Sequence, residues 1–325
     1  MTTNLLSLRV ASQHLLAPVG IVLASMALPA IANGFVLFQA TQVMVYAVAI
    51  LGLNLLVGFS GQLSLGHGAF FAIGAYVAAI LMGQYDVPYW LALPAAGVVA
   101  FVFGLLFGLP ALRLEGVYLA LATFSLAIAT PQILKLSVLT PLTGGSPGIA
   151  VSKPQAPLGL PLTDDQWLYY IALCVTGAQY LLARNLVSSR SGLAMLAVKE
   201  DPVAAKAMGV NLSVYKTLAF GTSAAFNGIA GALSAMAVQY ISPDSFTFYL
   251  SASILVGLVV GGVGWLPGAF FGALFVLLVP NLAEGLSKGL SGAVYGAILI
   301  ALIFFLPSGA STFRSASLLR TRRKP

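Results

Sequence analysis

The run from Gly58 to Gly68 sets four polar side chains, Ser60, Gln62, Ser64 and His67, among glycines at 58, 61, 66 and 68, and it interrupts an apolar pattern. A serine beside glycines invites a test for nucleophilic catalysis, in which a strained turn presents the hydroxyl and a histidine takes its proton. Gly58, Ser60 and Gln62 miss the G-x-S-x-G pattern at its last position, and the second histidine, His14, sits near the N-terminus. A hydrolase reading therefore fails, and His67 reads as a structural histidine rather than a proton carrier. The same residues suit a different task. Gln62 carries a donor and an acceptor and Ser64 a hydroxyl, so in a dry channel they would stand in for water around a polar solute. Ser60, Gly61 and His67 complete a neutral lining suited to a zwitterion or an uncharged molecule. Close packing is the competing account, because glycines let helices approach and hydroxyls bond across them; the sequence leaves both open. Cys174, the single cysteine, has no partner for a disulfide or a cysteine metal site. No metal or cofactor site is expected, and no G-x-x-x-x-G-K-[ST] loop is present to cradle a nucleotide.

The elements that must hold these residues are apolar helices. Of 325 residues 59% are apolar and 7% charged, against about 25% charged in a soluble globular domain, and that deficit excludes a soluble fold. Apolar windows fall near 15–33, 36–57, 64–83, 89–109, 117–134, 167–183, 217–238, 247–266, 268–281 and 291–306. Most approach the length of about 20 residues that crosses about 30 Å of hydrocarbon. The expected fold is therefore all-α: a polytopic membrane protein of about ten transmembrane helices, in one domain over 1–325. The ninth window is short and could form a re-entrant element with the eighth, so eight or nine spans are the alternatives. Leu15 to Ile31, preceded by Arg9, reads as a retained first helix rather than a cleaved signal. Unwound backbone such as the 58–68 run persists at membrane depth only where it is buried in protein or lines a wet cavity.

Charge placement gives an orientation. With a cytoplasmic N-terminus and an even count, the inner segments hold Arg9, Arg113, Arg184, Arg190, Lys199, Lys206, Lys216, Arg314, Arg320, Arg322, Arg323 and Lys324, and the outer ones only Lys135, Lys153 and Lys288. This is the positive-inside bias. Both termini are then expected in the cytoplasm, and the basic tail over 307–325 is expected to contact anionic lipid, not nucleic acid. Two loops stand out. The outer one, Lys135 to Gln166, contains Thr143-Gly144-Gly145-Ser146-Pro147-Gly148 and is placed to receive an external partner. The inner one, Arg184 to Lys216, is the longest cytoplasmic segment between spans. Within it Asp201 reads as an N-cap before Pro202, and Gly209 as the C-terminal stop. The result is a helix of about two turns with Val203, Ala204, Ala207 and Met208 on one face.

These residues carry a resemblance. The stretch from Lys199 to Val210 resembles the cytoplasmic coupling helix of ABC-importer permeases, in which an acidic residue, paired alanines and a following glycine dock into the ATPase. Gly58-Phe59-Ser60-Gly61-Gln62-Leu63-Ser64-Leu65-Gly66-His67-Gly68-Ala69-Phe70 resembles the signature of the branched-chain amino acid permeases. Leu112 to Ala120, Ile241 to Phe246 and Gly261-Gly262-Val263-Gly264 agree, in family order, between about Val45 and Phe305. Within the family the likeness is to the M-type permease. It implies a type II-like importer fold and an ATPase-coupling set of Glu200, Asp201, Ala204, Ala205, Lys206, Met208 and Gly209. It also implies a second, unlike permease, two ATP-binding cassette subunits and a periplasmic or extracellular solute-binding protein, all at the bacterial inner membrane. Glu115, where relatives often carry a basic residue, and Pro267 in the glycine loop depart from the pattern. They leave the solute open among branched-chain amino acids, urea, short amides and aromatic acids.

The energy source can be argued separately. Gradient-driven transporters generally need ionisable residues within their spans, and His67 is the one such residue in the windows above. With no phosphate loop of its own, the chain is expected to have no enzymatic activity and to receive its energy from ATPase partners through 184–216. A self-sufficient channel or secondary transporter is the alternative.

Overall fold

A computed structural model describes residues 25–114, 116–157, 161–286, 291–305 and 309–311. The first window up to residue 24, Glu115, Lys288 and the basic tail, apart from the turn Gly309–Ser311, lie outside these described residues. The chain is helical nearly throughout: α1 (Gly34–Asn54), α2 (His67–Gly83), α3 (Tyr89–Ala111), α4 (Val117–Leu134), α5 (Asp164–Ser188), α6 (Arg190–Glu200), α7 (Pro202–Ala207), α8 (Leu212–Val238), α9 (Phe248–Gly261), α10 (Gly268–Leu286) and α11 (Ser291–Phe305). Two-residue strands, β1 (Ile149–Ala150) and β2 (Tyr240–Ile241), form the β pairing among the described residues. The all-α expectation holds, and each apolar window from 36–57 onward falls on a helix.

Gly34–Phe59, Tyr89–Pro110, Val117–Leu134 and Pro243–Gly261 are long and apolar enough to cross a membrane by length and composition alone, and His67–Gly83 and Gly268–Leu282 are shorter apolar helices. The longest helix, α8, is not among these six. Its place in the bundle explains why. It packs along α1, α2 and α3 at once, so protein rather than lipid surrounds it, and small and polar residues replace large aliphatic ones. Ser223, Asn227 and Ser234 lie on one α8 face, at intervals that return to nearly the same direction about a 3.6-residue turn.

Backbone-to-backbone contact sets this core. A Cβ on Gly74 of α2 would fall 2.0 Å from the Gly228 carbonyl oxygen of α8, and one on Gly231 would fall 1.9 Å from that of Phe71. Small residues at such crossings supply the van der Waals contact that holds helices together where lipid removes the hydrophobic drive. A second layer pairs α9 with α10 and leans both on α1, and α5 also packs on α1, with its Tyr180 ring 5.9 Å from that of Phe270 on α10.

The two ends of the bundle differ. At one, β1 pairs antiparallel with β2, Lys135 meets Asp244 at 2.6 Å, and Lys153 meets Asp165 at 2.6 Å. This end carries the described parts of the 135–166 segment. At the other lie α6, α7 and the basic residues Lys199, Lys206 and Lys216 around the unwound stretch that follows α1.

Candidate functional site

The run that interrupts the hydropathy pattern also interrupts the helix. α1 passes directly into a π-helical turn, Leu55–Phe59. Asn54, fully buried at the junction, donates to the Trp265 carbonyl at 3.0 Å and accepts from the Gly264 amide at 2.8 Å. The chain reverses at Gly61, whose φ of +72° suits glycine, and α2 begins at His67. Widened turns of this kind are rare within helices and cluster at functional sites.

Protein groups satisfy the freed backbone. The Leu65 amide donates to Thr123 Oγ1 at 2.9 Å, the Gly66 amide to Ser64 Oγ at 3.3 Å, and the Gly68 amide to Ser251 Oγ at 2.9 Å. From Ser64 to Gly68 the stretch is thus tied into the bundle by α4 and α9, while Gly61 and Leu63 are exposed; protein partners or a wet cavity are the condition for unwound backbone at membrane depth.

The four polar side chains divide into two pairs. Ser64 and His67 belong to a closed relay: Ser64 Oγ lies 2.9 Å from His67 Nδ1, His67 Nε2 lies 2.6 Å from Ser223 Oγ, and Ser223 donates to the Gly52 carbonyl at 2.5 Å. Because the Ser223 proton goes to Gly52, Nε2 must donate to Ser223, and Nδ1 then accepts from Ser64. One neutral tautomer satisfies every member. Phe70 and Phe220 enclose the ring.

Ser60 and Gln62 instead face a cavity of about 190 Å³ bounded also by Gly61, Leu119, Lys199 and Lys216. Gln62 Nε2 donates to Ser60 Oγ at 2.7 Å and to the Lys216 carbonyl at 3.1 Å. Its Oε1 accepts from no side chain or amide among the described residues. Lys199, at the end of α6, donates to the Gly58 carbonyl in the π turn at 2.8 Å, and its stem lies against Gly61, where a Cβ would come within 2.9 Å of Lys199 Cγ. Lys199 therefore joins the 184–216 segment directly to the unwound stretch.

The short helix forms as its sequence directs. Asp201 Oδ1 accepts from the Val203 and Ala204 amides at 2.9 and 3.0 Å, with Pro202 at the first helical position. At the far end the Val210 amide reaches the Ala205 carbonyl and the Gly209 amide that of Lys206, both at 3.0 Å, with Gly209 at φ +85°. These bonds make a Schellman cap. Glu200, Asp201, Ala204, Lys206, Met208 and Gly209 are exposed, and Val203 and Met208 project at 79% and 85% exposure. Ala205, at 5%, turns into the protein, so the two alanines of the pair face opposite ways.

Sequence reasoning missed the partners on other helices: Asn54, Thr123, Ser223 and Ser251. Each is a polar residue in an apolar helix, a signal that could have flagged them.

The fold defines a class: a polytopic α-helical membrane protein with an unwound element packed between its helices. Residues 35–303 match the family model described as branched-chain amino acid transport system / permease component, and the chain belongs to this family. It is 36% identical to the high-affinity branched-chain amino acid transport system permease protein LivM of Salmonella typhimurium, over 69% of this chain and 58% of the relative, with the same figures for LivM of Escherichia coli. It is 26% identical to the corresponding permease protein LivH of Salmonella typhimurium, over 69% of this chain and 77% of the relative. The matched part thus spans 58% of the length of the LivM relatives. No solved structure matches.

Proposed function

We propose that the chain is the permease subunit of an ATP-driven ABC importer and forms half of the translocation pathway for branched-chain amino acids or related small polar solutes. In this reading it lies in the bacterial inner membrane with both termini cytoplasmic. A second, unlike permease supplies the other half, two ATP-binding cassette subunits hydrolyse the ATP, and an extracytoplasmic binding protein delivers the solute. Family membership over most of the chain supports it. The observation that carries it is the continuity from α7 through Lys199 to the unwound stretch.

Val203, Ala204 and Met208 present a small apolar knob, flanked by Glu200, Asp201 and Lys206, for a groove on the ATPase. Gly209 ends the helix so that the knob stays short. Ala205 anchors the knob from inside. A push on α7 reaches the Gly58 carbonyl and Gly61 through Lys199, at the turn where the helical ladder is already widened. Ser60 and Gln62 line the inner end of the pathway there, and Ser64 and His67 hold the shape of the segment. Reconstitution with the partner subunits and the binding protein tests this: leucine uptake should require ATP and stop when the partners' ATP hydrolysis is abolished. Uptake by the chain without ATPases would mark a self-sufficient channel or secondary transporter.

A further inference from the structure

At the end of the bundle that carries α7, two cavities meet. One, of about 520 Å³, is bounded by Lys206 of α7, by Asn211 and Ser213 at the start of α8, by Lys216, and by Leu112 just beyond α3. The other, of about 310 Å³, is a trough between α3 and α8 walled by Leu105, Leu109, Val214 and Leu218. Leu112 and Ser213 border both, so a basic head runs into an apolar trough without a break. No acidic side chain is among the described residues that line either. The apolar span of α3 ends at Pro110, which sets the trough at hydrocarbon depth and the lysines beyond it, at the level of lipid headgroups. Thr217 is the informative residue. It lines the trough, it is nine-tenths buried, and its hydroxyl has no hydrogen-bond partner. Threonines in helices commonly bond a carbonyl one turn back, as Thr123, Thr130 and Thr222 do here. A buried hydroxyl left unpaired is costly unless a ligand completes it.

We infer that this surface is a site for one anionic phospholipid, its phosphate held by Lys206 and Lys216 at the N-terminus of α8, an ester carbonyl accepting from Thr217, and an acyl chain laid along Leu105, Leu109, Val214 and Leu218. The order of groups along the surface, cation, hydroxyl, then aliphatic wall, is the order in which a phospholipid presents phosphate, ester and chain. The positive end of the α8 dipole adds to the lysines. A soluble anion has no use for the trough, and an acidic segment of a cytoplasmic partner would not follow it to hydrocarbon depth. The inference goes beyond the proposed transport role and depends on no choice of solute. A lipid so bound ties α7 to α3 and α8 through the membrane itself.

The test titrates the full-length chain in detergent with phosphatidylglycerol or phosphatidylcholine and reads bound lipid by native mass spectrometry. One phosphatidylglycerol should be retained where phosphatidylcholine is lost. Lys206→Gln and Lys216→Gln should each weaken retention about fivefold, the worth of one basic residue beside an anionic headgroup. Thr217→Val keeps the shape and should weaken retention severalfold without lowering the melting temperature of the lipid-free chain. Arg190→Gln, which removes an exposed charge of the same 184–216 segment outside both cavities, should change nothing. Phosphatidylglycerol with a photoreactive acyl chain should cross-link within 105–112 or 213–218. Equal retention of the two lipids, indifference to both lysines, an equal loss in Arg190→Gln, or cross-links confined to other helices would each overturn the site. So would competition by inorganic phosphate at the same concentration, or displacement of the lipid when the partner ATPases are added.

Discussion

Ser223 is the residue on which the buried relay turns, because its hydroxyl serves two groups at once, His67 Nε2 and the Gly52 carbonyl. Ser223→Ala strands both and should lower stability by about 1–3 kcal/mol, read as a fall in melting temperature in detergent. Ser64→Ala removes the partner of His67 Nδ1 and the acceptor of the Gly66 amide, the latter at a long 3.3 Å, and should cost no more than Ser223→Ala; a larger loss would show that Ser64 rather than Ser223 is the main anchor of the ring. Gln62 tests the other pair. Gln62→Leu removes a side chain facing the inner cavity, so under the proposed role it should slow leucine uptake about tenfold with binding-protein affinity and ATPase assembly intact. Normal uptake would mean that this part of the stretch only packs.

At the scale of elements, much was legible because membrane helices announce themselves: a continuous apolar window needs no tertiary partner to be recognised, and every window on described residues became helical. The cap on α7 was legible for the same local reason, since Asp201, Pro202 and Gly209 act within a few residues of chain. The direction of Ala205 was not legible, because which face of a short helix turns inward depends on the helices beneath it. Nor were Thr123, Ser223 and Ser251, whose roles arise from contacts more than fifty residues away in sequence. The glycine crossings carry a sharp expectation. Gly74→Leu must displace the backbone of α8, since even a Cβ there would lie 2.0 Å from a carbonyl oxygen, and folded protein should be lost. Gly177→Ala, with nothing within 4 Å of the added carbon, should express as the parent does and serves as its control.

For the whole molecule, the charge distribution and the fold make one statement: Lys199, Lys206 and Lys216 gather at the end that carries α7, while Lys135 and Lys153 pair with acidic residues at the other. The proposed orientation puts the first end in the cytoplasm. Single cysteines at Ser152 and Ser213, both exposed, in a Cys174→Ser background should therefore label from opposite sides with an impermeant reagent. Labelling of both from one side would break either the orientation or the span count. The central claim is that force enters at α7 and leaves through Lys199. It is tested most directly by the number of solute molecules moved per ATP hydrolysed in vesicles, compared between the unaltered complex and one carrying Lys199→Met, which keeps the apolar stem but loses the hydrogen bond to Gly58. The account predicts hydrolysis that continues while the ratio falls severalfold; an unchanged ratio at equal assembly would contradict it.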